Sequence, residues 1–325
     1  MDRLSSDLGG REETAESQPY GAISFTNPTE ELLVQAQRRL AIPEELFGLE
    51  QLDVFYDEEP AALWSFMRPS GRPSFTPQLL GDFINWQRLI GAHFGPDHVP
   101  LRYLVLGSRS PGVFCFGGDL ELFAALIREG NRDGLAAYGY RCVEILHRNL
   151  HSLDLPVLTI GLVQGQALGG GFEALLSFDY IIAERGSVFG LPEVKFGLFP
   201  GMGAHAFLSR KIGSALADRV IMGDVPFTAE QMFDMGIVQA LVEPGQGVAA
   251  VRDFMRKSER RHAGLVGARR ASKRADDISL SELRDIVDHW ANAALNLREQ
   301  DLKLMQRLAA AQEKLPRDAA AAAAA

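Results

Sequence analysis

Two glutamates and a run of glycines are the residues here whose types and spacing could do chemistry. Glu173 follows Gly169, Gly170 and Gly171 and sits in the first turn of FEALLSF, an apolar segment that reads as a helix. Twenty residues on, Glu193 lies in a Leu-Pro-Glu loop ahead of the turn-rich FPGMG. Glycine has no Cβ, so backbone carrying it can come close to a ligand. The N–H groups that open a helix lack intrahelical acceptors, and the macrodipole favours negative charge there. An oxygen polarised at that point would lie near Glu173, which could take or give a proton on the neighbouring carbon. Glu193 could carry the opposite transfer. Such a set suits chemistry α and β to a carbonyl. The same residues also have a purely structural use, as a tight strand-to-helix turn followed by a glutamate that the dipole alone favours.

The elements that must position these residues alternate along the chain. LDVFY and AALWSFMRP, joined by an acidic turn, read as a hairpin. The stretch beginning SFTPQLLGDF has helix-start chemistry, with Thr76 as cap and Pro77 at the first position. Leu79, Leu80, Phe83, Ile84 and Ile90 give that helix its apolar face. LRYLVLGS is a buried-strand run that ends in the loop SRSPGVFCFGGD and opens the helix DLELFAALIREG. A long helix is predicted over Asp133–Leu153, and the strand LPVLTIGLV then delivers the loop 165–171. Strand, loop, helix and strand again make the rhythm of a layered α/β domain, with each glycine loop at a strand's carboxyl end. Short strands DYIIAE, VFGLP and VQALVE follow, with short helices at Ala204–Ile212, Ala215–Met222 and Thr228–Met235. From Val248 to Leu308 the pattern is helical. Residues up to about Pro19 read as disordered and Glu30–Arg39 as a short helix; the alanine run after Asp318 carries no chemical information.

Composition narrows the function classes. The 325 residues are 46% hydrophobic and 23% charged, ordinary for a globular chain with an ample core. A net charge of −9 argues against nucleic acid as the main partner. Against that acidic background Arg256–Arg274 is densely basic, and it could meet a phosphate or an acidic protein face, or be a solvated helix surface. Cys115 and Cys142 form no CxxC, so neither a disulfide framework nor a zinc site is indicated; Cys115 is expected to be a small buried hydrophobe. His147 and His151 stand four apart without a third ligand, which favours a structural pair over a metal site, and His205 follows FPGMG without a catalytic assignment. HExxH, the Walker lysine motif and GxSxG are all missing, which removes the serine thioesterase, and the glycines at 201 and 203 make a loop rather than a dinucleotide site. No metal or cofactor is expected. The polar N-terminus lacks a signal-peptide core and the run Leu155–Val163 is too short to span a bilayer, so the expectation is a cytoplasmic protein without membrane contact.

The segments GQALGGGFEALLSFDYIIAE and FGLPEVKFGLFPGMGAHAFLSRKIG are similar to the signature of the crotonase (enoyl-CoA hydratase/isomerase) superfamily, and the resemblance runs from about Leu101 to about Glu243. It implies an α/β fold of the ClpP/crotonase-like kind, a spiral of ββα units with a helical C-terminal part. The implied division is a disordered 1–20, a core over 21–245, a helical region over 246–318 that covers the acyl pocket and joins a homotrimer or hexamer, and an alanine tail over 319–325. By the same resemblance Glu173 and Glu193 are the catalytic pair. The oxyanion N–H groups belong to Gly118, in CFGGD, and Gly170, with Gly117 and Gly169 as neighbours. Phe172, Leu191, Phe199 and Met202 are candidates for the acyl channel.

Three departures from ordinary hydratases are similar to one branch: SRSPGVFCFGGDLELF, FPGMGAHAFLSR, and an N-terminal extension containing LWSFMRP and PSFTPQLLGDFINWQ. They resemble the diffusible signal factor synthases, bacterial crotonases that make cis-2-unsaturated fatty acid signals for quorum sensing. The implied reaction is dehydration of a 3-hydroxyacyl thioester, carried on acyl carrier protein or CoA, followed by release of the free acid. Two alternatives stand beside it: a 2-enoyl-CoA hydratase that stops at the thioester, and a crotonase-like protein that binds a signalling-pathway partner.

Overall fold

A computed structural model of the protein describes residues 41–96 and 98–323, with side chains up to residue 312. The stretch 1–20, expected to be disordered, the helix expected at Glu30–Arg39 and residues 21–40 of the expected core lie outside the described residues.

The chain first makes the expected hairpin, β1 (Leu52–Asp57) against β2 (Ala62–Met67), antiparallel with Leu52 opposite Met67. Helix α1 (Pro77–His93) begins as its sequence requires: the Thr76 side chain accepts from the Leu79 N–H and Pro77 fills the first position. Ile84, expected on its apolar face, is 39% exposed. The seam that packs inward runs through Leu79, Leu80, Phe83, Trp86 and Ile90 instead, and Ile84 falls to one side of it.

From there a two-strand step repeats. Strands β3 (Tyr103–Ser108), β5 (Leu158–Val163) and β7 (Tyr180–Glu184) lie parallel in one sheet that the last strand, β10 (Ala240–Val242), completes in the order β1-β2-β3-β5-β7-β10. Each is followed by a short strand in a second sheet: β4 (Val113–Cys115), β6 (Gln166–Leu168) and β8 (Val188–Gly190), which with β9 (Phe227–Thr228) run in the order β4-β6-β8-β9. Helices then return the chain to the first sheet, α2 (Leu120–Arg128) and α3 (Arg132–Leu150) after β4, and α4 (Gly170–Leu175) after β6. This is the spiral of ββα units that the resemblance implied. β5 is buried along its whole length, as a parallel strand covered on both faces must be, which is why LTIGLV is apolar without alternation.

After β8 come α5 (Ala204–Ile212), α6 (Ser214–Ile221), β9 (Phe227–Thr228), α7 (Ala229–Asp234) and β10 (Ala240–Val242). Four further α-helices follow among the described residues: α8 (Gly247–Ser258), α9 (His262–Ala275), α10 (Leu280–Ala294) and α11 (Glu299–Ala323). Among the described residues no helix is long and apolar enough to cross a membrane.

The long helix ends at Leu150 rather than Leu153, and Ser152, Leu153 and Asp154 take φ of 54°, 53° and 61°. Three consecutive left-handed residues without glycine are costly, and they lie beside a buried charge. Asp179, with a fully buried side chain, accepts from Thr159 N and Oγ1 at 2.9 and 3.1 Å and faces Lys273 Nζ at 2.7 Å. The last contact is an ion pair, since Oδ1 has no hydrogen bond of good angle. Lys273 also donates to Ser152 Oγ. The basic stretch is therefore partly spent inside the chain: Lys273 on Asp179, and Arg269 over the Tyr180 ring at 4.4 Å. Breaking one side of a buried pair leaves an uncompensated charge. Lys273→Met should cost about 3–5 kcal/mol of stability by that mechanism, measured as a fall in the urea midpoint. A shift under about 0.5 kcal/mol, the range of ordinary surface substitutions, would show that α9 is not anchored by this contact.

Candidate active site

The second sheet delivers both glycine loops to one place. Gly117 follows β4 and Gly169 follows β6, and the two loops meet backbone to backbone. Gly117 has φ +85°, and a Cβ there would lie 2.4 Å from the Gly170 nitrogen. Gly169 has φ +53°, and its Cβ would lie 2.5 Å from Glu193 Oε1. Any side chain at either position would need a disfavoured conformation and the space of another functional group.

The cavity that these loops border has a volume of about 220 Å³. Gly118, Gly170, Glu173 and Glu193 all line it. The N–H groups of Gly118 and Gly170 have no acceptor among the described residues. They also lie close together, since a Cβ on Gly170 would sit 3.5 Å from the Gly118 nitrogen. Two unpaired donors, that of Gly170 at the first position of α4 and that of Gly118 in the loop after β4, can hold an oxygen that gains negative charge.

Glu173 is 1% exposed, a position its place on α4 dictates, because every residue of this six-residue helix is buried. Its Oε1 accepts from the N–H groups of Met202 and Ala204 at 2.8 and 3.0 Å. Ala204 opens α5, so the Glu173 carboxyl caps the N-terminus of that helix, where the dipole favours its charge. Burial pushes the Glu173 pKa up, and these two donors pull it part of the way back.

Glu193 stands on the short 3₁₀ turn Pro192–Phe196. As a residue it is half-buried, but its carboxyl points inward, and Oε2 is buried with no hydrogen-bond partner among the described residues. Burial and the neighbouring Glu173 charge both raise its pKa. A lone oxygen in an apolar wall is better tolerated on a neutral acid than on an anion. The geometry therefore favours a pair that shares one proton, with that proton resting on Glu193.

The apolar wall differs from the one the sequence suggested. Leu191 and Met202 line the cavity as expected. Phe172 and Phe199 do not. Phe172 is fully buried against Phe189, with ring centroids 5.5 Å apart, because its neighbour Glu173 takes the face of α4 that turns to the cavity. Phe199 packs edge-on against His205 at 5.9 Å, which also keeps that histidine out of the cavity wall. The wall is completed by Phe116 and Phe123, which follow β4, and by Trp290 and Leu308 from α10 and α11. The apolar periodicity of α10 and α11 was visible, but which of its residues meet the cavity depends on how these helices dock.

Cys115 is buried and its thiol is pushed up to about 12 by burial, so it stays protonated; it accepts from the Gly117 N–H at 3.3 Å and so braces the loop. The His147 and His151 rings lie 4.4 Å apart, and among the described residues no group of three or more His, Cys, Asp or Glu side chains could hold a metal ion.

Residues 96–261, about half of the chain, match the enoyl-CoA hydratase/isomerase family. Over 141 residues the chain is 38% identical to the fatty acid oxidation complex subunit alpha of Idiomarina loihiensis. That match takes in 43% of this chain and spans 19% of the curated relative, about a fifth of its length. Among solved structures, the enoyl-CoA hydratase from Bacillus halodurans superposes with a TM-score of 0.67 at 19% identity, covering 80% of this chain and all of the other. DspI of Pseudomonas aeruginosa superposes with a TM-score of 0.58 at 23% identity, covering 71% and 90%. At these identities the likeness is one of fold.

The raised carboxyls make stability depend on pH with a definite sign. The folded chain holds protons that an unfolded chain, with ordinary values near 4.5, would release. The resulting stabilisation is complete below that value and is lost as pH rises through the raised values. Glu193→Gln, a neutral isostere, removes part of this dependence. Melting temperatures between about pH 5 and pH 9 should therefore fall less steeply for the variant than for the native chain. Parallel curves would show that Glu193 does not carry a proton in the folded state.

Proposed function

The chain belongs to the enoyl-CoA hydratase/isomerase family, and from that premise we propose that it dehydrates a 3-hydroxyacyl thioester and releases a cis-2-unsaturated fatty acid. The observation that carries this reading is the pairing, in one apolar cavity, of two buried carboxyls with two free backbone N–H groups.

The thioester oxygen sits between the N–H groups of Gly118 and Gly170. When an α-proton leaves, the electron pair moves onto that oxygen and these donors hold the resulting enolate. One such donor contributes about 2.7–4 kcal/mol to lowering the barrier. The ionised carboxylate takes the α-proton. The protonated carboxyl gives its proton to the departing β-hydroxyl, so the products are water and the 2-enoyl thioester. The pair holds one proton before and after, and the reverse sequence is hydration. The apolar walls of the cavity strengthen each of these contacts.

Release of the free acid needs a second step at the same carbonyl. A water, deprotonated by a carboxylate of the pair, adds to the thioester carbon, and the thiolate leaves with the proton. GxSxG is missing, so no serine elbow competes for this role. The motifs shared with the diffusible signal factor synthases support this finer assignment, as does a cavity walled by Phe123, Leu191, Met202 and Trp290 for an acyl chain. Acyl carrier protein is the proposed donor, with CoA as the alternative.

Mass spectrometry after incubation with 3-hydroxydodecanoyl-carrier protein tests the reading. Free cis-2-dodecenoic acid is expected. An enoyl thioester alone would reduce the assignment to a hydratase, and an unchanged substrate in both carrier and CoA forms would remove it. Glu173→Gln and Glu193→Gln should each lower kcat by about 10²–10⁴-fold, the range for a lost general acid or base. Either variant retaining native kcat would take that glutamate out of the mechanism.

A further inference from the structure

The oxyanion loop is gripped from behind by a segment that precedes α1. The Phe75 N–H donates to the Gly117 carbonyl at 2.7 Å, and the Phe116 N–H donates to the Pro73 carbonyl at the same distance. The Gly117 carbonyl belongs to the very peptide whose N–H is the free donor of Gly118. One residue on, the Gly118 carbonyl accepts from Arg72 Nη2 at 2.6 Å. The other end of that guanidinium, Nη1, donates to Gln312 Oε1 at 2.7 Å.

Gln312 is buried at 8% exposure, lines the cavity, and lies one turn beyond Leu308 on α11. Arg72 and Gln312 are 240 residues apart in sequence, yet one rigid plane fixes both partners. A guanidinium carries its donors at fixed angles, so two acceptors held by one plane are held relative to each other. A lysine, a single freely rotating point, cannot do this.

We propose that Arg72 is a positioning residue that makes the orientation of the Gly117–Gly118 peptide depend on docking of the C-terminal helix over the acyl cavity. The helix that walls the acyl chain and the peptide that holds the thioester oxygen then respond to one bridge. This role rests on the oxyanion function proposed for Gly118. A second link between the same helix and the core, Arg128 to Glu299, is exposed and does not touch the oxyanion loop, which makes it a natural control.

The test uses the full chain and the thioester it turns over. Arg72→Met should lower kcat at least tenfold while KM stays within threefold, and should speed amide hydrogen exchange over residues 299–312. Gln312→Leu should lower kcat at least threefold and speed the same exchange. The double variant should be no slower than Arg72→Met alone, since both break one bridge. Arg128→Met should leave kcat within twofold of the native chain. Native kcat in Arg72→Met, a loss confined to KM, or additive losses in the double variant would each overturn the proposal. If Arg72→Met does not fold, Arg72→Lys and Gln312→Leu decide in the same way: native kcat in both, with faster exchange in α11, overturns it. A native chain that turns over no 3-hydroxyacyl or enoyl thioester removes the functional reading and this inference with it. An active native chain that is silenced by Glu173→Gln but indifferent to the Arg72 variants removes the inference alone.

Discussion

Two carboxyl groups buried in one apolar-walled cavity cannot both be ionised cheaply, and the rest of the site follows from that constraint. Burial raises both, and the charge on Glu173 raises Glu193 further. Backbone donors then decide where the single proton rests. Glu173 receives two N–H bonds at the head of α5, while the Glu193 carboxyl keeps a buried oxygen without a partner. An acid and a base arise from two chemically identical side chains because their surroundings differ.

The same economy explains the glycines. The donor N–H groups are useful only if two loops from different strands touch, and they touch because Gly117 and Gly170 present no side chain to each other. The second sheet places β4 and β6 side by side in parallel, so the loops leaving them emerge together. Short strands of three residues each are enough for this, since their work is to aim the loops, while the larger sheet carries the core.

The C-terminal helices do more than cover the sheet. Trp290 and Leu308 finish the apolar wall, Lys273 faces the buried Asp179 carboxylate, and Gln312 reaches the Gly117–Gly118 loop through Arg72. One of these side chains, Lys273, belongs with Arg269 to the basic stretch Arg256–Arg274, whose composition suits a phosphate, an acidic protein face or a solvated surface. Asp179 and Tyr180 draw two of its cations back to the core, where a buried charge needs a partner more than a surface does.

Much of this protein was legible in one dimension. The βαβ rhythm, the Thr76–Pro77 start of α1, and the clustering of glycines before Glu173 are local, and local chemistry fixes them: a cap, a fixed φ, an absent Cβ. Sequence chemistry also marked Glu173 and Glu193 as groups that could carry protons, while the Gly118 N–H was marked only by the resemblance to the crotonase superfamily. It did not determine which aromatic residues would line the cavity. Phe172 and Phe199 are as apolar as Phe116 and Phe123, and only the rotation of α4 and the packing of His205 turn the first two away. Nor could it reveal that Arg72 and Gln312 meet, because side chains 240 residues apart are joined only by the docking of whole helices. Backbone preference is set by nearest neighbours; a cavity wall is set by every element that closes over it.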